Sequence, residues 1–268
     1  MRVQPAQGHP PRARRVLLAI ALLGSTWFAC AADMSADEVR KVVANARDGA
    51  APSLAHKDLS DLDLSNIDFA RADLSGANLF GSRLVSSNFA GATLAGANLN
   101  GAWLMGARFD GADLSGSTML SLVILGGDVK ARPNFAGANL SGVRMIADLP
   151  GADLHGANLR RARLGVDMRN QGMGQMRTDL SGANLAGADL QGADLSRSLM
   201  RFTNLRGANL RGANLFGVDL SGADLTGADL ADADFTAADV DQTIFKDGKG
   251  LDAARGIDRA KNRDRAVY

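Results

Sequence analysis

Residues 179–196 read DLSGANLAGADLQGADLS, and residues 206–230 read RGANLRGANLFGVDLSGADLTGADL. An apolar side chain falls on every fifth position, from Leu180, Leu185, Leu190 and Leu195 through Met200 and Leu205 to Leu230, Phe235 and Val240. Two residues before each stands a small one, usually alanine (Ala183, Ala188, Ala193), and Asp or Asn fills the place between. A period of five matches neither a 3.6-residue helix nor a two-residue strand. Self-similarity at a fixed short interval is instead the mark of a solenoid.

The unit has a simple physical reading. Across three residues the pattern alternates apolar, polar, apolar, so both apolar side chains point one way and Asp or Asn the other. The next two residues, Ser-Gly, Ala-Gly or Arg-Gly, are turn formers, because glycine reaches backbone angles closed to other residues. Strand followed by turn at each step makes a coil, and stacked coils pair their backbones about 4.8 Å apart. Burying each inward leucine contributes about 1.5–3 kcal/mol before entropy is subtracted. Both ends of such a stack stay open, so each requires a cap.

Working outward, the beat begins at Leu54 and runs through Leu59, Leu64 and Phe69 to Met119 and Ile124. One residue too many separates Ile124 from Phe135, in LGGDVKARPN, and a one-residue deletion near Ile146 resets the phase. Residues 165–178 (GVDMRNQGMGQMRT) are nearly unreadable, as a loop or as a degenerate coil, before Leu180 restarts the pattern. The repeat domain is therefore placed at 51–245, with breaks near 125–134, 146 and 165–178.

Residues 1–32 read as a secretory signal peptide: Arg12, Arg14 and Arg15, then the apolar run Val16 to Leu23, then Ala29-Cys30-Ala31. Cleavage is expected after Ala31 or Ala32, which places the mature protein in the periplasm or outside the cell. Cys30 is the single cysteine, so no internal disulfide forms, and lipidation at Cys30 is the alternative processing route. Residues 33–50 are expected to form a capping helix. Ser35-Ala36-Asp37-Glu38 is a capping box, Val39, Val42, Val43 and Ala46 make one apolar stripe, and Asp48-Gly49 ends it. Residues 246–268, charged and alanine-rich, read as a C-terminal cap or tail with a short helix or two.

Units such as AGADL, QGADL, RGANL and SGADL closely resemble the A(D/N)LXX unit of the pentapeptide-repeat family, over about residues 54–245. The resemblance implies an all-β fold: a right-handed quadrilateral parallel β-helix, four units to the coil, here with short helical caps. Roughly 37 units then give about nine coils and a rod on the order of 40–45 Å long. Some members of the family protect DNA gyrase by imitating the duplex. A net charge of +1 and the signal peptide argue against that role and against nucleic acid as a partner.

Catalytic chemistry finds little support. The mature chain carries two histidines, His56 and His155, no metal-binding cluster of His and Cys, and Ser and Asp residues whose places the repeat already explains. No cofactor and no small-molecule substrate are expected. The expected role is a rigid scaffold for an unknown protein partner in the bacterial cell envelope, with a secreted effector as the alternative. A membrane is involved only if Cys30 is lipidated, and a homodimer would form through an end cap. Candidate contacts are the Met-rich break, with Met168, Arg169, Met173, Met176 and Arg177. Charge adds a second set: Arg201, Arg206 and Arg211 precede residues 212–245, which carry seven Asp and no Lys or Arg, so a basic middle and an acidic end could dock a charged partner.

Overall fold

The computed structural model describes residues 32–46, 51–124, 131–166 and 177–268. Signal-peptide residues, Cys30, Met168, Arg169, Met173 and Met176 lie outside them. In nearly every unit a four-residue turn follows the inward apolar residue. At Leu74-Ser75-Gly76 the Ala77 N–H donates to the Leu74 carbonyl at 3.0 Å, and Gly76 takes the left-handed φ of +63°. The outward Asp or Asn closes that turn from its other side. Asp73 Oδ1 accepts the Ser75 N–H at 3.0 Å and its hydroxyl at 2.6 Å, an Asx turn for which the short carboxyl or amide is suited.

Successive coils are joined by parallel bridges that recur at 20 residues: Ser53 with Asp73, Asp58 with Asn78, Asp63 with Arg83, Asp68 with Asn88. Four ladders result, numbered here in the order the chain meets them. The first climbs in ten rungs from Ser53 and Asp73 to Asp229 and Lys249. Side-chain amides add a rail between rungs, Asn78 Nδ2 donating to Asp58 Oδ1 at 3.0 Å and Asn98 Nδ2 to Asn78 Oδ1 at 2.9 Å.

The inward leucines share one dry interior from Leu54 to Phe245, and the alanines two residues ahead of them are buried beside them. At four places where Ser or Thr replaces that alanine, the hydroxyl donates to a carbonyl of the coil below: Ser82 to Leu59 at 2.7 Å, Ser87 to Leu64 at 2.7 Å, Thr203 to Leu180 at 3.0 Å and Thr243 to Leu220 at 2.8 Å. On the fourth ladder Phe69, Phe89, Phe109 and Phe135 stack face to face, ring centres 4.9 to 5.0 Å apart.

Each stumble in the beat has a place in this lattice. The single extra residue after Ile124 conceals six: Asp113 pairs with Asn139, 26 residues on, so one whole five-residue step lies off the ladders as well. The deletion shortens the next coil to 19. There the turn is lost and the chain stays extended, as β1 (Thr118–Leu120) paired in parallel with β2 (Arg144–Ile146). Of the break at 165–178, residues 167–176 lie outside the described residues, and with them the choice between loop and degenerate coil. Asp153 pairs with Asn184, 31 residues on, which seats the flanking coils directly against each other.

Helix α1 (Ala36–Ala44) covers the first coil, with both capping-box hydrogen bonds made and Val39 fully buried. Its C-cap is Asn45, short of the expected stop at Asp48-Gly49. Arg40 Nη2 donates to the Asp63 carbonyl at 3.0 Å, and the Asp33 N–H to that of Asp58 at 2.8 Å, which satisfies part of the open edge. At the other end the tail is a further coil. Lys249, Arg255, Lys261 and Val267 continue the four ladders at six-residue steps. The extra residue at each corner goes into a 3₁₀ turn, at Leu251–Ala253, Ile257–Arg259 and Arg263–Arg265.

Candidate functional site

The sequence points to a run of arginines beside a run of aspartates, and the lattice brings the two together. Arg201, Arg206 and Arg211 occupy three successive corners, and each reaches the outward Asp of the coil above, 18 residues ahead. Arg201 pairs with Asp219, Arg206 Nη1 with Asp224 at 2.8 Å, and Arg211 Nη1 with Asp229 at 3.4 Å. Arg160 does the same with Asp189 at 3.0 Å. The basic middle and the acidic end thus neutralise one another locally, and the three arginines are spread around the coil. Burial pushes the Asp219 carboxyl up, but the Ser221 hydroxyl and Arg201 outweigh it and hold the group below the usual carboxylate range. Asp224 follows the same balance, with Thr226 and Arg206 as the opposing partners.

Arg177 is exposed at the point where the chain rejoins the lattice. Its neighbour Thr178 is buried, and the Thr178 hydroxyl donates across the break to the Leu164 carbonyl at 2.7 Å and to that of Met145 at 3.2 Å. Sequence reasoning missed this clasp, because Thr178 sits in the stretch where the repeat is unreadable. Its one signal is position: two residues before Leu180, in the small inward place. His155 Nδ1 lies 2.8 Å from Asp153 Oδ1 on the surface, and His56 is exposed with a φ of +58°. The two occupy different corners and assemble nothing. Among the described residues no group of three His, Cys, Asp or Glu could hold a metal ion, and no helix is long and apolar enough to cross a membrane.

The outward residues of the third ladder differ from those of the others. On the first two ladders every outward residue is polar; on the third stand Trp103, Val123 and Leu199. Corner residues beside it are aromatic too, with Phe80 49% and Phe202 72% exposed. Two arginines lie over rings here, Arg83 over Trp103 at 4.9 Å and Arg197 over Phe216 at 5.5 Å.

A profile of pentapeptide repeats matches residues 54–84, 82–119, 132–165, 178–215 and 208–247, which is more than half of the chain. The chain belongs to the pentapeptide-repeat family. Pentapeptide-repeat proteins are structural and regulatory rather than catalytic, and this one is not an enzyme. Among solved structures the chain is similar to HetL, a pentapeptide-repeat protein involved in heterocyst differentiation regulation from the cyanobacterium Nostoc sp. strain PCC 7120. Identity is 31% over 88% of this chain and 100% of that one, at a TM-score of 0.44. Full-length QnrB1, a plasmid-mediated fluoroquinolone resistance protein, is 17% identical over 78% of this chain and 90% of its own, at 0.38. A pentapeptide-repeat protein from the thylakoid lumen of Arabidopsis thaliana is 28% identical over 44% and 69%, at 0.18. No curated protein matches the chain.

Proposed function

We propose that this protein is an exported, non-catalytic binding module of the bacterial cell envelope, a right-handed four-sided rod that presents fixed surface side chains to a protein partner. The observation that carries the reading is the pair of phenylalanines left in water, Phe80 and Phe202, on a backbone held by parallel bridges between coils on both sides of each. Rigid, exposed aromatic anchors are what protein interfaces concentrate their binding energy on. The Asp and Asn of the repeat are taken up by turn and ladder hydrogen bonds, which leaves recognition to the positions where the repeat is broken. The Met-rich segment with Met168, Arg169, Met173, Met176 and Arg177 is one such position. Mimicry of nucleic acid fits poorly, because the aspartates at 219, 224 and 229 already face arginines.

Export rests on the Arg12–Arg15 cluster, the apolar run and the Ala29-Cys30-Ala31 step. Fractionation of the tagged full-length protein, with mass spectrometry of the N-terminus, tests it. A periplasmic species beginning at Ala32 or Asp33 is expected, and one beginning at a lipidated Cys30 would make the protein a lipoprotein. A full-length cytoplasmic pool would end the export reading. The binding reading is tested by photocrosslinking in the producing cell with benzoylphenylalanine placed around the rod; absence of a discrete adduct from every position would end it.

A further inference from the structure

We propose that the outward face of the third ladder docks an amphipathic α-helix of another protein, one that carries apolar side chains on either side of a lysine or arginine. The proposal rests on the protein-binding reading above and assigns its surface and the chemistry of its partner.

Three observations converge on that face. First, its apolar residues occupy places where Asp or Asn would contribute a turn hydrogen bond, so Trp103, Val123 and Leu199 each forgo one. On the fourth ladder apolar outward residues occur only at Ile244 and Val267, in the last two coils. Second, every departure from the five-residue step before the final coil adjoins the third ladder. The long steps run from Val123 to Asn134 and from Arg163 to Asp179, and the short one from Arg144 to Asp148. Steps from the fourth ladder to the first, and from the first to the second, hold at five residues until Lys249. The chain thus varies at the two borders of one face and keeps the remaining corners fixed.

Third, the face has a charge of its own at its centre. Asp148 and Asp179 are bridge partners, and Leu199 pairs with Asp179 on one side; on the other, Val123 stands in the coil that neighbours Asp148, with no bridge between the two. Neither carboxylate has a salt bridge with a described residue. Burial, and then the neighbouring Asp179, raise the Asp148 carboxyl above the usual range against the pull of Arg132. A cation delivered by a partner would relieve that repulsion, and apolar residues on both sides of it would meet Val123 and Leu199. Three rungs separate those two residues, about 14 Å, which is the length of roughly nine residues of α-helix. An extended peptide suits the wall less well. The backbone groups of the ladder are already paired between coils, so a strand laid on it would leave its own unpaired, whereas a helix satisfies its backbone internally. The same acidic pair disfavours an anionic membrane surface.

Trp103 makes the test direct. In the full chain with Trp27→Phe it is the single tryptophan, so its emission reports on the face itself. The probes are synthetic 18-residue helices with one leucine stripe and either Lys or Glu at its centre. The Lys helix is expected to shift Trp103 emission to shorter wavelength and to bind at least tenfold more tightly than the Glu helix. The double variant Asp148→Asn/Asp179→Asn, which keeps an acceptor at both turns, is expected to abolish the preference. Equal binding of the two helices, an unmoved Trp103, or an equal shift with phosphatidylglycerol vesicles would each overturn the proposal. Benzoylphenylalanine at Leu199 and at Asn209 separates this failure from failure of the general reading. Adducts at Asn209 or elsewhere on the rod but not at Leu199 would remove the third-ladder face and leave a binding module, and adducts at no position around the rod would remove both.

Discussion

Phe202 is the residue that local rules least explain. It is bulky, it stands at a φ of +54° where the repeat most often places glycine, and it is 72% exposed. Left-handed backbone costs an L-residue about 1–2 kcal/mol, and the ring recovers part of this by lying against Gly222 of the next coil. A Cβ built on Gly222 would come within 2.5 Å of the Phe202 ring, whereas one on Gly227 would meet nothing within 4 Å. Both glycines have a φ near +70°. Gly227→Ala is therefore expected to cost about 1 kcal/mol from backbone strain alone, and Gly222→Ala more than that, in urea unfolding. Adding Phe202→Ala to Gly222→Ala should bring the two costs together. If Gly222→Ala and Gly227→Ala cost the same in the parent, the ring is not seated on Gly222. Thr178 allows a second test at this scale. Thr178→Val keeps the shape but leaves the Leu164 carbonyl without its hydroxyl partner, a loss of about 1–3 kcal/mol for a buried polar group. An unchanged unfolding midpoint would show that the hydroxyl does not help to hold Thr178 against Leu164 and Met145.

A ladder is the element of this protein, and its stability is a nearest-neighbour matter. The four-phenylalanine stack is its most continuous apolar contact, with Phe89 and Phe109 inclined by only 4°. Phe109→Ala is expected to cost about 3–5 kcal/mol, because both neighbouring rings lose a face at once. A loss below about 2 kcal/mol would mean that the adjoining coils close over the gap. The five-residue beat of these elements was legible from Leu180 to Val240 because each unit is local and states its own alternation and turn. What the beat cannot carry is which ladder a unit belongs to, since all four share one pattern. That is why six extra residues after Ile124 counted as one: five of them keep time with the repeat while lying off it. It is also why Arg201 and Asp219 read as separate patches, for their 18-residue offset acquires meaning only when a coil is 20 residues long. The last coil was unreadable for a different reason, its six-residue steps matching no earlier unit. The aromatic corner at Phe202 and the outward Trp103 were hidden by the same ambiguity of phase, so the face they share could be assembled only once the ladders were in register.

Over the whole repeat, the recurring carboxylates set how stability responds to acid. Asp73 and Asp234 are held below the usual carboxylate range first by the hydroxyl two residues on, of Ser75 and Thr236, and then by the backbone N–H of the same residue; Asp63, whose Oδ1 accepts the Ser65 N–H at 3.1 Å, is lowered as well. Asp219 and Asp224 are lowered despite burial. A carboxyl whose folded pKa lies below its unfolded value, near 3.9, stabilises the fold fully above that value. The contribution is lost as pH falls from there through the folded pKa. Asp148 carries the opposite sign, since its folded pKa is raised. Its contribution is complete below the unfolded value and is lost as pH rises through the folded one. With Glu38 and Asp153 these make seven lowered carboxyls against one raised, so the unfolding midpoint followed by circular dichroism should be level near neutrality and fall below about pH 4. Asp148→Asn isolates the exception. Asparagine at this place cannot ionise beside Asp179, so the variant should be more stable than the parent at pH 7. The gap should narrow on acidification and vanish once Asp148 of the parent is itself protonated. A variant equal to the parent at pH 7, or a gap that widens in acid, would mean that the two stacked carboxylates do not repel across the third ladder.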